Sequence, residues 1–254
     1  MLSAGIAALA ILPSGAGADT NADEVLAAAR AVSAPIRDKS MRVRMSIIEP
    51  GGEERVRLLR GYEKKTENGR RILWIFDSPM ELEGTGFLAW QEGKEPDHLW
   101  VYFPGQRRVR QVPPQLRREN FQGSAFTFED LTAVFYLDYT GDSQLEGEQP
   151  CDGSRCQLVL TKLPEGQFAY RQMRSWIRAD DHVPVRVEFF DDSLMKVLKV
   201  LRTEQIEGVP TVVEMEMESP RDAYRTRVEF SDVDYNKDLD ESIFTVGNLQ
   251  KTGK

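Results

Sequence analysis

Between Met41 and Phe230 the chain is written in short runs where apolar and polar residues alternate, and this period of two confines it to a largely antiparallel β fold. Met41, Val43, Met45 and Ile47 alternate with Arg42, Arg44 and Ser46. Val213, Met215 and Met217 oppose Glu214, Glu216 and Glu218, and Val228 and Phe230 oppose Arg227 and Glu229. Successive strand side chains point to opposite faces, so each run has one dry face and one wet face. Pro50-Gly51-Gly52 reads as a turn and Asn68-Gly69 as a hairpin signal. Roughly a dozen strands follow from these signals. Helices are expected at 22–34, closed by Pro35, and at 127–136, where Thr127 and Asp130 form a loose capping box. A short helical turn is expected from Asp240 to Phe244. Two helices are too few for βαβ units, and no linker divides the chain. The fold class is mainly β (α+β), one domain over 19–254, whose large sheet must curl or split into layers.

A second class of strand is apolar on both sides. Ile72 to Phe76, Phe87 to Trp90 and Leu99 to Phe103 carry large side chains on either face, so something must cover each face. Most of these aromatics suit a core. A movable helix would also cover them, and would leave a hollow able to take a lipid chain. Candidate lining residues are Trp74, Phe76, Phe87, Trp90, Trp100, Tyr102, Phe126, Phe128, Leu131, Met215 and Met217. Methionine adapts to a flexible guest, and equally to an ordinary core.

The amino terminus reads as a secretory signal. Leu2 to Leu12 is apolar but shorter than a membrane span, and Ala16-Gly17-Ala18 offers small residues for cleavage before Asp19. No Lys or Arg precedes the apolar run, so this reading expects a start further upstream; the alternative is that no export occurs. No cysteine sits at the cleavage point, so a soluble periplasmic protein without a lipid anchor is expected. Cys151 and Cys156 cannot build a metal site alone; after export they would form a disulfide, and without it they would be free thiols. A net charge of −8 supplies no general field for nucleic acid, which is not expected as a partner.

Catalytic patterns are missing. His98 and His182 are the two histidines, and no nucleophile elbow, phosphate loop or dinucleotide fingerprint occurs, so neither an enzyme nor a cofactor or metal is expected. The basic stretch from Arg107 to Arg118 has five arginines. Arg107, Arg108 and Arg110 could meet an anionic group or a partner, or simply pair with the Glu-rich strand faces.

The order Leu99-Trp100-Val101-Tyr102-Phe103-Pro104, Arg107-Arg108-Val109-Arg110 and Gly123-Ser124-Ala125-Phe126-Thr127-Phe128-Glu129-Asp130-Leu131 resembles the outer-membrane lipoprotein-sorting family, relatives of the periplasmic carrier LolA. Gly84-Thr85-Gly86 and Phe244-Thr245 fit the same pattern. Ala125 stands where the pattern often has Asp, so any pairing of that carboxylate with an arginine is absent here. The resemblance implies an unclosed half-barrel with helices covering its concave side. It implies a periplasmic carrier or chaperone for acyl chains of lipoproteins or another lipid, with an RND-type exporter or an outer-membrane acceptor as further partner. A non-transporting interaction or sensor module is the alternative, and a lipid or glycan hydrolase a third reading.

Overall fold

The computed structural model describes residues 21–93, 97–133, 139–151 and 153–251, and the proposed leader over 1–18 lies outside them. Among the described residues thirteen strands form one antiparallel sheet that does not close into a barrel. The first six are β1 (Asp38–Ile48), β2 (Glu54–Thr66), β3 (Gly69–Ser78), β4 (Gly86–Glu92), β5 (His98–Phe103) and β6 (Arg108–Gln111). The others are β7 (Asp142–Cys151), β8 (Ser154–Lys162), β9 (Gln172–Arg178), β10 (Pro184–Phe190), β11 (Leu194–Ile206), β12 (Val209–Ser219) and β13 (Tyr224–Tyr235). Each strand pairs with its neighbour in sequence within these two meanders, and β1 pairs with β13 to join them. The terminal strands therefore lie in the middle of the sheet, and its edges are β6 and β7. Both edges are blunted: β6 carries Arg108 and Arg110 before Pro113-Pro114, and β7 carries Glu146, Glu148 and Pro150.

The sheet is strongly curled. Trp74 on β3 and Val187 on β10 line one cavity, although the strand order puts six steps between them. In a flat sheet six steps of ~4.8 Å would hold them about 29 Å apart.

Helix α1 (Ala22–Ala31) lies inside the curl. Asn21 caps it: its side chain accepts from the Glu24 amide at 2.9 Å, and Glu24 returns a bond to the Asn21 amide. Ala22, Val25, Leu26 and Ala29 form one buried stripe, and the helix packs against β7 and β8. The helix ends three residues before the expected 34, in turns that reach Pro35.

The second cover is the crossover from edge to edge, residues 112–141, described except for 134–138. Here the expected helix over 127–136 is seen as the single turn α2 (Asp130–Ala133): Thr127 bridges to Asn120 and a turn follows it, so the helix starts three residues later than expected, and 134–136 lie outside the described residues. Phe121, Ala125, Phe126 and Leu131 of the crossover are buried in the main core. Phe121 packs its ring against Phe76, Phe87 and Phe128 at centroid distances of 5.7, 5.6 and 5.3 Å. The Ala125 amide donates to Thr226 Oγ1 on β13 at 2.8 Å. A carboxylate at this fully buried position would lose its water, which the departure to alanine avoids.

The two-sided strands have a different explanation from a liftable lid. Leu73, Ile75, Leu88 and Tyr102 form a second cluster with Phe244 and Leu249. Those last two belong to a 3₁₀ turn (Glu241–Phe244) and to α3 (Val246–Leu249), so the C-terminal segment covers the other face of β3, β4 and β5. Trp90 Nε1 donates to the Phe244 carbonyl at 2.8 Å and holds this cover down.

Gly69 also has a role other than the one its dipeptide suggests. The loop is Glu67-Asn68, and Gly69 opens β3 opposite Thr66. A Cβ on Gly69 would lie 1.9 Å from the Gln91 carbonyl oxygen, so glycine is needed for close approach to β4.

Candidate functional site

The inside of the curl has a filled end and a hollow end. Near Ile47, Phe76 and Thr226 the crossover packs it with aromatic rings. Toward the other end of the same strands lies a cavity of about 160 Å³, against the ~10–15 Å³ one water needs. Met41, Trp74, Val187, Leu198, Met215 and Phe230 supply its apolar wall, and Ala29 of α1 closes one side. Alternation brings these residues together. Met41 faces Gly61 across the β1–β2 pair, and Gly61 faces Trp74 across the β2–β3 pair. A Cβ on Gly61 would sit 2.9 Å from Met41 Cε, so glycine there leaves the methionine its room. The pairing of β11 with β12 slips between Val200 and Thr203, and Val212 lines the cavity together with Met215. An unbroken alternation would have put Val213 on that face.

The mouth is cationic. Arg30, Arg37, Lys39, Lys64, Lys65 and Arg70 border the cavity, against the carboxylates of Asp38 and Glu63. Glu63 pairs with Lys39 at 3.0 Å, and Asp38 accepts from the Lys237 amide at 2.9 Å. Lys65 Nζ donates to the carbonyls of Ser33 and Ala34 at 2.7 and 3.1 Å, tying the end of β2 to the chain leaving α1. Burial and then the charge of Arg70, its cross-strand partner, hold the Lys65 ammonium below its ordinary pKa.

The eleven candidate lining residues divide three ways. Trp74 and Met215 line the cavity. Phe76, Phe87, Phe126, Leu131 and Met217 lie in the main core, with Phe128 half-buried against it, and pack the filled end and its surroundings. Trp90, Trp100 and Tyr102 belong to the cluster on the opposite face, because alternation turns them away from Phe87 and Val101. They cannot share a cavity with Trp74. The cationic rim was missed; its signal was the basic pairs Lys64-Lys65 and Arg70-Arg71 flanking the hairpin turn.

Arg107, Arg108 and Arg110 are exposed on and beside edge strand β6, away from the cavity lining. Arg110 donates to Gln106 at 2.8 Å, while Arg117 and Arg118 bond the backbone carbonyls of Asp97 and Gly166 and hold the crossover. Cys151 and Cys156 form a disulfide, with Cα atoms 5.7 Å apart. His98 stacks on Trp100 and His182 occupies a turn. Among the described residues no His, Cys, Asp and Glu cluster could hold a metal, and no helix is long and apolar enough to cross a membrane.

A family model described as that of an uncharacterized protein matches residues 68–251. Three solved structures are similar in fold. A DUF1329 family protein from Desulfovibrio piger is 27% identical over 90% of this chain and 98% of its own, with a TM-score of 0.83. A putative outer membrane lipoprotein-sorting protein domain from Vibrio parahaemolyticus is 24% identical, with a TM-score of 0.83, over 91% of this chain and 100% of its own. A LolA superfamily protein from Nitrosomonas europaea is 18% identical, with a TM-score of 0.71, over 90% of this chain and 99% of its own. Among curated proteins, human MAGE-like protein 2 is 44% identical over 46 residues, 18% of this chain; the chain spans 4% of that protein's length, too little to carry fold or function. The fold is thus shared with these three structures, the LolA superfamily protein among them, over about nine tenths of the chain, and the protein belongs to the family of uncharacterized proteins whose model spans residues 68–251.

Proposed function

We propose that the protein is a non-catalytic carrier that shelters an acyl chain of a lipoprotein or another lipid in the cavity beside α1, working in the periplasm after export. The observation that carries this reading is an apolar hollow left between a curled sheet and a single capped helix. The names of its structural relatives, a lipoprotein-sorting domain and a LolA superfamily protein, point the same way. Each CH₂ buried contributes about 0.8 kcal/mol, so a chain can be held without any polar contact. Release would require α1 to move, and the bonds from Lys65 to Ser33 and Ala34 are what such a movement would break.

Arg107, Arg108 and Arg110, exposed at the β6 edge, then suit contact with a delivery partner such as an RND-type exporter or an outer-membrane acceptor. Filling the cavity by Val187→Trp or Leu198→Trp tests the carrier reading. Uptake of a fluorescent fatty acid should fall at least tenfold, while reversing the three arginines should leave it intact. Uptake unchanged by both cavity-filling variants, with no lipid extracted from protein purified from cells, would sink the reading.

A further inference from the structure

Two hydroxyls stand where the apolar wall of the cavity gives way to its charged mouth. Thr211 on β12 and Tyr235 at the end of β13 both line the cavity, and both are buried, at 8% and 3% exposure. Phe230 lines it further back along β13, while Lys39, which faces Tyr235 across the β1–β13 pair, lies at the mouth. The two hydroxyl oxygens are 2.7 Å apart, and Thr211 Oγ1 also lies 2.9 Å from the Val209 carbonyl.

These contacts fix where the protons are. A hydroxyl has one proton and two lone pairs. The Val209 carbonyl can only accept, so Thr211 commits its proton there. The proton in the 2.7 Å contact therefore comes from Tyr235. The phenol oxygen then has no proton left for a guest, but it keeps its lone pairs. Lys39, its partner in the register, is engaged by Glu63 at 3.0 Å. A guest oxygen without a proton would meet lone pairs with lone pairs here, whereas a guest N–H or O–H would find an acceptor.

We infer that the guest carries a neutral hydrogen-bond donor, an amide N–H or a hydroxyl, where its acyl chain meets its headgroup, and that Tyr235 Oη accepts it. This rests on the carrier reading and adds to it the chemistry of the cargo's linkage. With the chain against Met41, Trp74 and Met215 and the polar end at the mouth, the linkage passes Tyr235. A simple ester or ether linkage offers acceptors alone and gains nothing from this oxygen.

The test is displacement of a bound fluorescent fatty acid by two matched pairs of competitors, below micellar concentrations. One pair is a fatty N-methylamide and the methyl ester of the same chain; the other is a fatty alcohol and its methyl ether. Each pair differs in the donor, so the pair that shows the preference tells an amide source from a hydroxyl source. Preference for the donor member of at least one pair should be about fivefold greater in the unaltered protein than in Tyr235→Phe. That variant should bind the ester and the ether as before. Thr211→Val should act in the opposite sense. It removes the acceptor of the Tyr235 proton, which then turns to the guest, so the ester and the ether should bind about fivefold more tightly. Equal preferences in the unaltered protein and Tyr235→Phe, or an equal loss of all four competitors in Tyr235→Phe, would overturn this inference and leave the carrier reading standing. Ester and ether binding unchanged in Thr211→Val would overturn the placement of the proton, and the inference with it. Failure of the probe and of all four competitors to bind would overturn the carrier reading as well.

Discussion

Lys196 at the start of β11 donates to Asp130 Oδ2 at 3.1 Å, with the two side chains 8% and 0% exposed. Asp130 opens α2, so this pair fastens the crossover to the far half of the sheet. The same carboxylate accepts from the Thr127 amide at 2.8 Å, from Tyr139 at 2.9 Å and from Tyr170 at 3.1 Å. Burial first, and then the charge of Asp130, raises both tyrosines well above their ordinary pKa, so they stay protonated donors. The Glu-Asp-Leu of the family pattern is therefore an anchor in this protein.

Breaking that anchor from one side should cost far more than replacing it. Asp130→Ala leaves a buried ammonium without its counter-charge, a loss of about 3–5 kcal/mol. Asp130→Asn/Lys196→Met, which removes both charges, should lose less than the two single changes added together. Chemical denaturation of the four proteins measures the coupling. Additive losses would show that the pair is not coupled.

Glu129 makes stability depend on pH. Burial, then the charge of Asp130 beside it, pushes its pKa from 4.5 up to about 7. Between those values the folded protein keeps a proton that the unfolded chain has released. Stability from this group therefore falls as pH rises through that window, and stays lower above it. Glu129→Gln should raise the thermal midpoint at pH 8 and change it little at pH 4. Parallel midpoint curves for the two proteins would remove Glu129 as the cause.

The two faces of the sheet should separate in function. Phe244→Ala uncovers Leu73, Ile75 and Leu88 on the side away from the cavity, at a cost of about 3–5 kcal/mol for a buried phenylalanine. Fatty-acid uptake by the folded variant at low temperature should match that of the unaltered protein. Trp74→Ala, on the cavity side, should change uptake directly. Loss of uptake in the Phe244 variant while it remains folded would show that the faces are coupled.

The disulfide closes a short loop at the β7–β8 hairpin, with a sequence separation of 5. On the chain-entropy relation such a loop stabilises by about 2 kcal/mol. Cys151→Ser/Cys156→Ser should lower the unfolding free energy by that amount, with uptake unaffected because the hairpin lies away from the cavity lining.

Much of the fold was legible locally. The alternation at Met41 to Ile47 and at Val228 to Phe230 placed those residues on the buried face, where the structure has them. The Thr127–Asp130 capping box forms with both of its bonds. The site was less legible. Trp74 and Trp90 look alike as strand aromatics, yet one faces the cavity and the other the C-terminal segment. The arginines that stood out, from Arg107 to Arg118, blunt an edge and pin the crossover, whereas the quieter Lys65 and Arg70 border the mouth.

What the residues determine by themselves is the strand rhythm, the caps, the turns and the parity of each side chain within its strand, because all of these depend on neighbours a few positions apart. Which face would curl inward, and that β3 and β10 would meet across one hollow, depends on how thirteen strands twist and close on a helix from the far end of the chain. Parity says that two side chains share a face. Only the curl says what that face encloses.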